Sequence, residues 1–154
     1  MPAKALYLED FKVGQTFRAG VFRMDVEAIT RFAAEFDPQP FHLNPATAEA
    51  SFFGSLVASG WHTAAATMRL LVDGALPVAG GVIGAGGDEI RWPRPVRPGD
   101  TLSVETEILE VRPSRSNPKV GLLKVRMRTL NQNNEEVQIA VANILAPARA
   151  IPTG

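Results

Sequence analysis

The chain contains no cysteine. Disulfides, thiolate metal sites and a cysteine nucleophile are therefore excluded. Net charge is missing as well. Its 16 basic and 16 acidic side chains cancel, so no global field directs it to nucleic acid or to an anionic membrane surface. No apolar run approaches the roughly 18 residues of a membrane-spanning helix. The first 11 residues include Lys4, Glu9 and Asp10 and lack the apolar stretch of a secretory signal, so the expected compartment is the cytoplasm. Histidine is scarce, with only His42 and His62. Two imidazoles so far apart, with no thiolate beside them, make a poor zinc site, and no metal or other cofactor is expected.

What remains is a globular composition, 45% apolar and 21% charged over 154 residues, which predicts one domain spanning 1–154. Residues 15–23 have the aromatic and β-branched content of a strand. Asp25 then caps an amphipathic helix over 26–36, where Val26, Ile29, Phe32, Ala33 and Phe36 recur at helical spacing. Pro38 and Pro40 end it and bias Asp37 and Gln39 to extended backbone. Asn44 and Pro45 start a second, short helix running to about residue 50. Ser59 caps a third, over 60–72, with Gly74 beyond its end. That helix is apolar nearly all round, which predicts burial. The pattern then changes to period two over 80–92, 101–111, 120–130 and 135–145. Four long antiparallel strands, an early strand and one buried helix predict an α+β domain whose sheet wraps around that helix.

Water chemistry at neutral pH calls for groups that can both give and take a proton, and histidine suits the task. Asp37 stands five residues before His42, but in extended chain five residues span about 17 Å. Spacing alone does not bring the two together.

The residues that carry a resemblance begin here. Asp37-Pro38-Gln39-Pro40-Phe41-His42, followed by Asn44-Pro45, resembles the Asp-x-Asn-Pro-x-His signature of the MaoC-like (R)-specific enoyl-CoA hydratases. Phe53-Gly54 and Ala58-Ser59-Gly60-Trp61-His62 fall where that family has Phe-Gly and Ala-His-Gly. Arg94-Pro95-Val96-Arg97-Pro98-Gly99-Asp100 resembles its Pro-Val-x-x-Gly-Asp connection. The likeness runs from about Gly14 to Val141. It implies a hot-dog fold, an antiparallel sheet around a central helix at 60–72. It also implies a homodimer or higher homo-oligomer, and a lyase that interconverts 2-enoyl and 3-hydroxyacyl thioesters of fatty acid metabolism. By that resemblance Asp37 and His42 share a water. Asp37 takes its proton as it adds to the β-carbon, and His42 protonates the α-carbon on the same face. The Gly60 backbone N–H, at a helix N-terminus, polarises the thioester carbonyl. Two positions depart from the pattern. Gln39 replaces the family Asn, and Met68 stands where the family has a hydroxyl that contacts the Asp; Thr63 and Thr67 are the nearest hydroxyls on the helix.

Other residues are candidates for contacting substrate. Gln39, Phe41, Ser59 and Trp61 flank the motif. Residues 91–128 hold nine basic and four acidic side chains, and Arg94, Arg97, Arg115 and Lys119, in or beside loops, are candidates for coenzyme A phosphates or an acidic acyl carrier protein. Solvated strands would explain that block equally well. Ser59 lacks the Gly-x-Ser-x-Gly elbow of a nucleophile, and a structural role suits His62 better than a catalytic one. Two further readings stand beside the hydratase: a hot-dog acyl-CoA thioesterase, and a non-catalytic module that binds acyl thioesters.

Overall fold

A computed structural model describes residues 4–149. The helical expectations hold closely. α1 spans Val26–Phe36, and the Asp25 side chain accepts from the Ala28 N–H at 2.8 Å. That bond satisfies one of the donors every helix leaves unpaired at its start. α3 spans Pro45–Glu49, with Asn44 Oδ1 accepting from both Ala46 and Thr47. Between them lies a turn the periodicity did not reveal, α2 at Pro40–Leu43. Pro40 opens it with φ already fixed, and four residues are too few to show a repeat.

The sheet has five antiparallel strands: β1 (Thr16–Met24), β2 (Ile83–Arg91), β3 (Asp100–Pro113), β4 (Val120–Leu130) and β5 (Glu136–Pro147). Their spatial order is β1-β3-β4-β5-β2. Period-two alternation decides which face is inward. Leu102, Val104, Ile108, Leu123 and Val125 are fully buried. The residues between them point outward, where Arg128 meets Glu105 and Glu136, and Arg126 meets Glu107. Much of the basic block is thus paired across strands on the solvent face, an arrangement worth little to stability.

α4 (Gly60–Leu70) packs on the inner face and continues into a wider turn, Leu71–Ala75, that closes at Gly74 with φ 149°. Its His62, Thr63, Ala66, Thr67 and Leu70 are buried. This is the hot-dog arrangement, a five-stranded antiparallel sheet around a central helix. The expectation that α4 is buried all round is corrected: Trp61, Met68 and Val72 are exposed. They line one stripe of the helix, and the edge strand β2 is exposed along its whole length. Among the described residues, no helix is long and apolar enough to cross a membrane.

Candidate active site

The backbone carries Asp37 and His42 to one point. Asp37 ends α1, its N–H donating to the Ala33 carbonyl at 2.8 Å. Pro38 and Gln39 turn the chain, and α2 sets His42 facing back. Two bonds then lock α2 onto the stretch before α4. The Val57 N–H donates to the Phe41 carbonyl at 3.1 Å, and His42 Nδ1 pairs with the Val57 carbonyl at 2.7 Å. The Ala58 N–H donates to the Val96 carbonyl at 2.9 Å and fastens that stretch to the connection before β3.

The carbonyl partner fixes the tautomer. Only a protonated Nδ1 can pair with the Val57 oxygen, so proton gain and loss fall to Nε2. Nε2 lies 3.3 Å from Asp37 Oδ2. His42 is 6% exposed, and the Asp37 side chain is mostly buried. Two polar atoms at this separation can both touch one water at ordinary hydrogen-bond lengths of about 2.8 Å.

Asp37 is held from two other sides. The Ser59 hydroxyl donates to Oδ2 at 2.7 Å, and Gln39 Nε2 donates to Oδ1 at 2.5 Å. Burial by itself would push this carboxyl up. The bonds from Ser59 and Gln39 and the charge of His42 outweigh burial and hold it below the ordinary carboxylate value. It stays an acceptor at neutral pH. The departure at Met68 is thereby explained. Met68 faces solvent, Thr67 bonds elsewhere, and Ser59, fully buried, supplies the hydroxyl. The sequence marked Ser59 as a helix cap, and the cap is real: its oxygen also accepts from the Trp61 N–H at 3.2 Å. Nothing in the sequence announced its second bond, to a residue 22 positions away.

Beside this pair lies a cavity of about 330 Å³. His42, Gly60 and Thr63 line it with Phe53, Val57, Trp92 and Arg94. Gly60 is the first residue of α4, where a backbone N–H has no intrahelical acceptor. A side chain there has no room, since a Cβ on Gly60 would stand 2.7 Å from the Trp92 ring. Trp92 was not among the residues singled out from the sequence; its only mark there is a large aromatic directly before a proline-rich connection.

The other candidates divide. Gln39 and Ser59 contact Asp37 directly. Phe41 packs edge-on against His42 with ring centroids 4.6 Å apart. Trp61 stacks edge-on against Trp92 at 5.3 Å but is largely exposed. Arg94 reaches the cavity, paired with Glu135 at 3.1 Å. Arg97 instead binds Ser55 and the Phe53 carbonyl, bracing the loop that walls the cavity. Arg115 and Lys119 lie on the β3–β4 hairpin, at the opposite end of strands whose near ends adjoin the cavity. A single chain does not bring them to the Asp37–His42 pair. His62 stacks flat on Phe32 with centroids 4.6 Å apart, and its Nδ1 has no partner.

Known proteins share this architecture. A family model described as a MaoC like domain matches residues 10–129. The solved structure of a MaoC-like dehydratase from Rhodospirillum rubrum is 50% identical, with a TM-score of 0.92 over 96% of this chain and 100% of that one. The unliganded R-hydratase PhaJ1 from Pseudomonas aeruginosa is 28% identical, with a TM-score of 0.76 over 97% and 96% of the two chains. The uncharacterized protein YdeM of Bacillus subtilis (strain 168) is 31% identical over 84% of this chain and 91% of its own.

Proposed function

The chain belongs to the MaoC-like dehydratase family, and from that premise we propose that it hydrates trans-2-enoyl-CoA thioesters and runs the reverse dehydration of (R)-3-hydroxyacyl-CoA. One observation carries the reading: an ionised Asp37 and the Nε2 of a tautomer-fixed His42 stand 3.3 Å apart, beside a cavity that also exposes the first turn of α4.

In the hydration direction, Asp37 Oδ2 takes a proton from the bound water as its oxygen bonds to the β-carbon. The C=C π electrons move toward the thioester. The thioester oxygen gains negative charge and is met by the Gly60 N–H and the positive end of the α4 dipole. His42, carrying a proton on Nε2, delivers it to the α-carbon. The carboxylic acid and the neutral imidazole left behind are still 3.3 Å apart, so one proton passed from Oδ2 to Nε2 restores the starting state. Water and proton come from groups at the same point, which makes the addition syn.

The thioesterase reading has less support. The charged side chains of the central helix and its terminal turn, Arg69 and Asp73, pair with each other at 3.1 Å, at the end remote from Gly60. No carboxylate on the helix is placed to activate water against the carbonyl.

A second copy of the chain is the proposed cover for the exposed stripe of α4 and for β2. An edge strand that offers unpaired N–H and C=O groups beside Ile83, Ile90 and Trp92 is a template for strand pairing. Light scattering on the purified protein is expected to give a dimer or a multiple of one.

Enzyme assay separates the three readings. Loss of enoyl absorbance from trans-2-butenoyl-CoA is the expected result. Release of free thiol from a saturated acyl-CoA supports the thioesterase instead, and ligand binding without turnover supports the non-catalytic module.

A further inference from the structure

The cavity beside His42 is bounded on one side by the Trp92 ring. From α4 its lining takes only Gly60 and Thr63, and nothing from the middle of β3, β4 or β5. A chain of hydrogen bonds, half-buried at Trp92 and buried beyond it, lies behind that boundary. The Trp92 indole N–H donates to Gln138 Oε1 at 2.9 Å. Gln138 Nε2 donates to the Thr67 hydroxyl at 3.3 Å. Thr67 donates its own proton to the Thr63 carbonyl at 2.9 Å, so the 2.6 Å contact between the Thr67 and Thr129 hydroxyls is a bond donated by Thr129. One proton given and two accepted saturate Thr67. Gln138, Thr67 and Thr129 are almost wholly buried.

This network fixes the Trp92 ring against Gly60. With a thioester oxygen on the Gly60 N–H, the acyl carbons must lie between His42 and that indole. A longer chain has two ways onward. One runs beneath α4, displacing the ring and leaving the buried Gln138 Oε1 without its donor, a heavy penalty for a polar group. The other runs out past Phe52, which is 98% exposed and gives a chain little to pack against. We infer that Trp92 sets the acyl-length limit of the site, so that its substrates are short-chain enoyl thioesters, with Gln138 as the residue that positions the indole. This rests on the hydratase reading above.

The test measures hydration of trans-2-enoyl-CoA substrates of four, six, eight and twelve carbons by the full chain and its variants. In the unmodified protein kcat/KM at eight carbons is expected to fall about tenfold or more below that at four. Trp92→Ala is expected to raise the eight-to-four ratio by about tenfold. Gln138→Met, which removes the acceptor and touches neither Asp37 nor His42, is expected to move the ratio in the same direction through KM while leaving the pH profile of kcat unchanged. A merely structural role would lower all substrates together. Where Trp92→Ala does not fold, Trp92→Phe, which keeps an aromatic ring but is smaller and loses the N–H donor, carries the same comparison. A preference for eight carbons or more, or ratios unmoved in folded Trp92 variants, overturns the inference and leaves the hydratase reading standing. No turnover at any length overturns both.

Discussion

His42 and His62 are the two histidines of the chain, and both are more than nine-tenths buried. They differ in what meets the ring. His42 gives Nδ1–H to the Val57 carbonyl and turns Nε2 toward a carboxylate at 3.3 Å. His62 lies flat on Phe32 and leaves its Nδ1 unpaired. Burial pushes the His62 imidazole down, the Arg31 guanidinium adds to that, and Asp25 opposes it only in part. His62 is a neutral packing element, whereas His42 has one nitrogen anchored and the other free to exchange a proton with Asp37. Burial does not distinguish the two; the partners of each nitrogen do.

The sharpest way to break this contrast is to remove the proton-transfer pair. Asp37→Asn and His42→Gln are each expected to lower kcat for enoyl-CoA hydration about 10²–10⁴-fold, the usual worth of a general acid or base. Each variant should keep the native fold by circular dichroism. The two groups act on one water, so the double variant should be little worse than either single one. Near-normal turnover in a folded single variant ends the assignment.

Ser59→Ala is the next largest change expected, with kcat about tenfold down. Its pH signature is more telling. Hydrogen bonds hold the Asp37 carboxyl below its ordinary value, so the basic form persists and activity is kept until pH falls through that lowered value. Losing the Ser59 bond raises the carboxyl's pKa and moves the acid limb of the rate profile to higher pH. A kcat–pH series on both proteins measures the displacement; an acid limb that stays in place, or moves to lower pH, removes Ser59 from this role.

His62→Phe should change least. Turnover should hold within about twofold and stability at neutral pH within about 1.5 kcal/mol, as for a swap of similar volume. The two proteins should part in acid. A folded value below the unfolded 6.5 means the unfolded chain binds a proton that the native one refuses. The native state therefore loses stability as pH falls below about 6.5 and on through the lowered folded value. Urea denaturation at about pH 7.5 and about pH 5 should show that loss diminished in the Phe variant. An unchanged loss would assign the acid sensitivity to other groups.

Strands and helices were legible because each rests on local pattern. The alternation of Leu123, Val125 and Met127 with Lys124, Arg126 and Arg128 fixes the two faces of β4. Asp25, Asn44 and Ser59 are short polar caps, and all three accept the backbone bonds expected of caps. The α2 turn was hidden because one turn has no period. The exposed stripe of α4 was hidden because Trp61, Met68 and Val72 are as apolar as the residues on the buried side, so composition cannot say which side faces the sheet. Arg97 and the strand arginines looked alike as charge, but only their neighbours show that one braces a loop and the others pair across the outer face of the sheet.

Chemical identity and local rhythm were set by the order of residues alone: a carboxylate and an imidazole five apart between prolines, a glycine opening a helix, and strands that alternate. Everything that depends on distant chain meeting distant chain waited for the folded molecule. The hydroxyl that holds Asp37 comes from 22 residues away, the carbonyl that fixes His42 from 15, and the acceptor that steadies Trp92 from 46. Hydrogen bonds are directional and reach only about 3 Å, so only packing a helix onto a sheet could bring these partners into range.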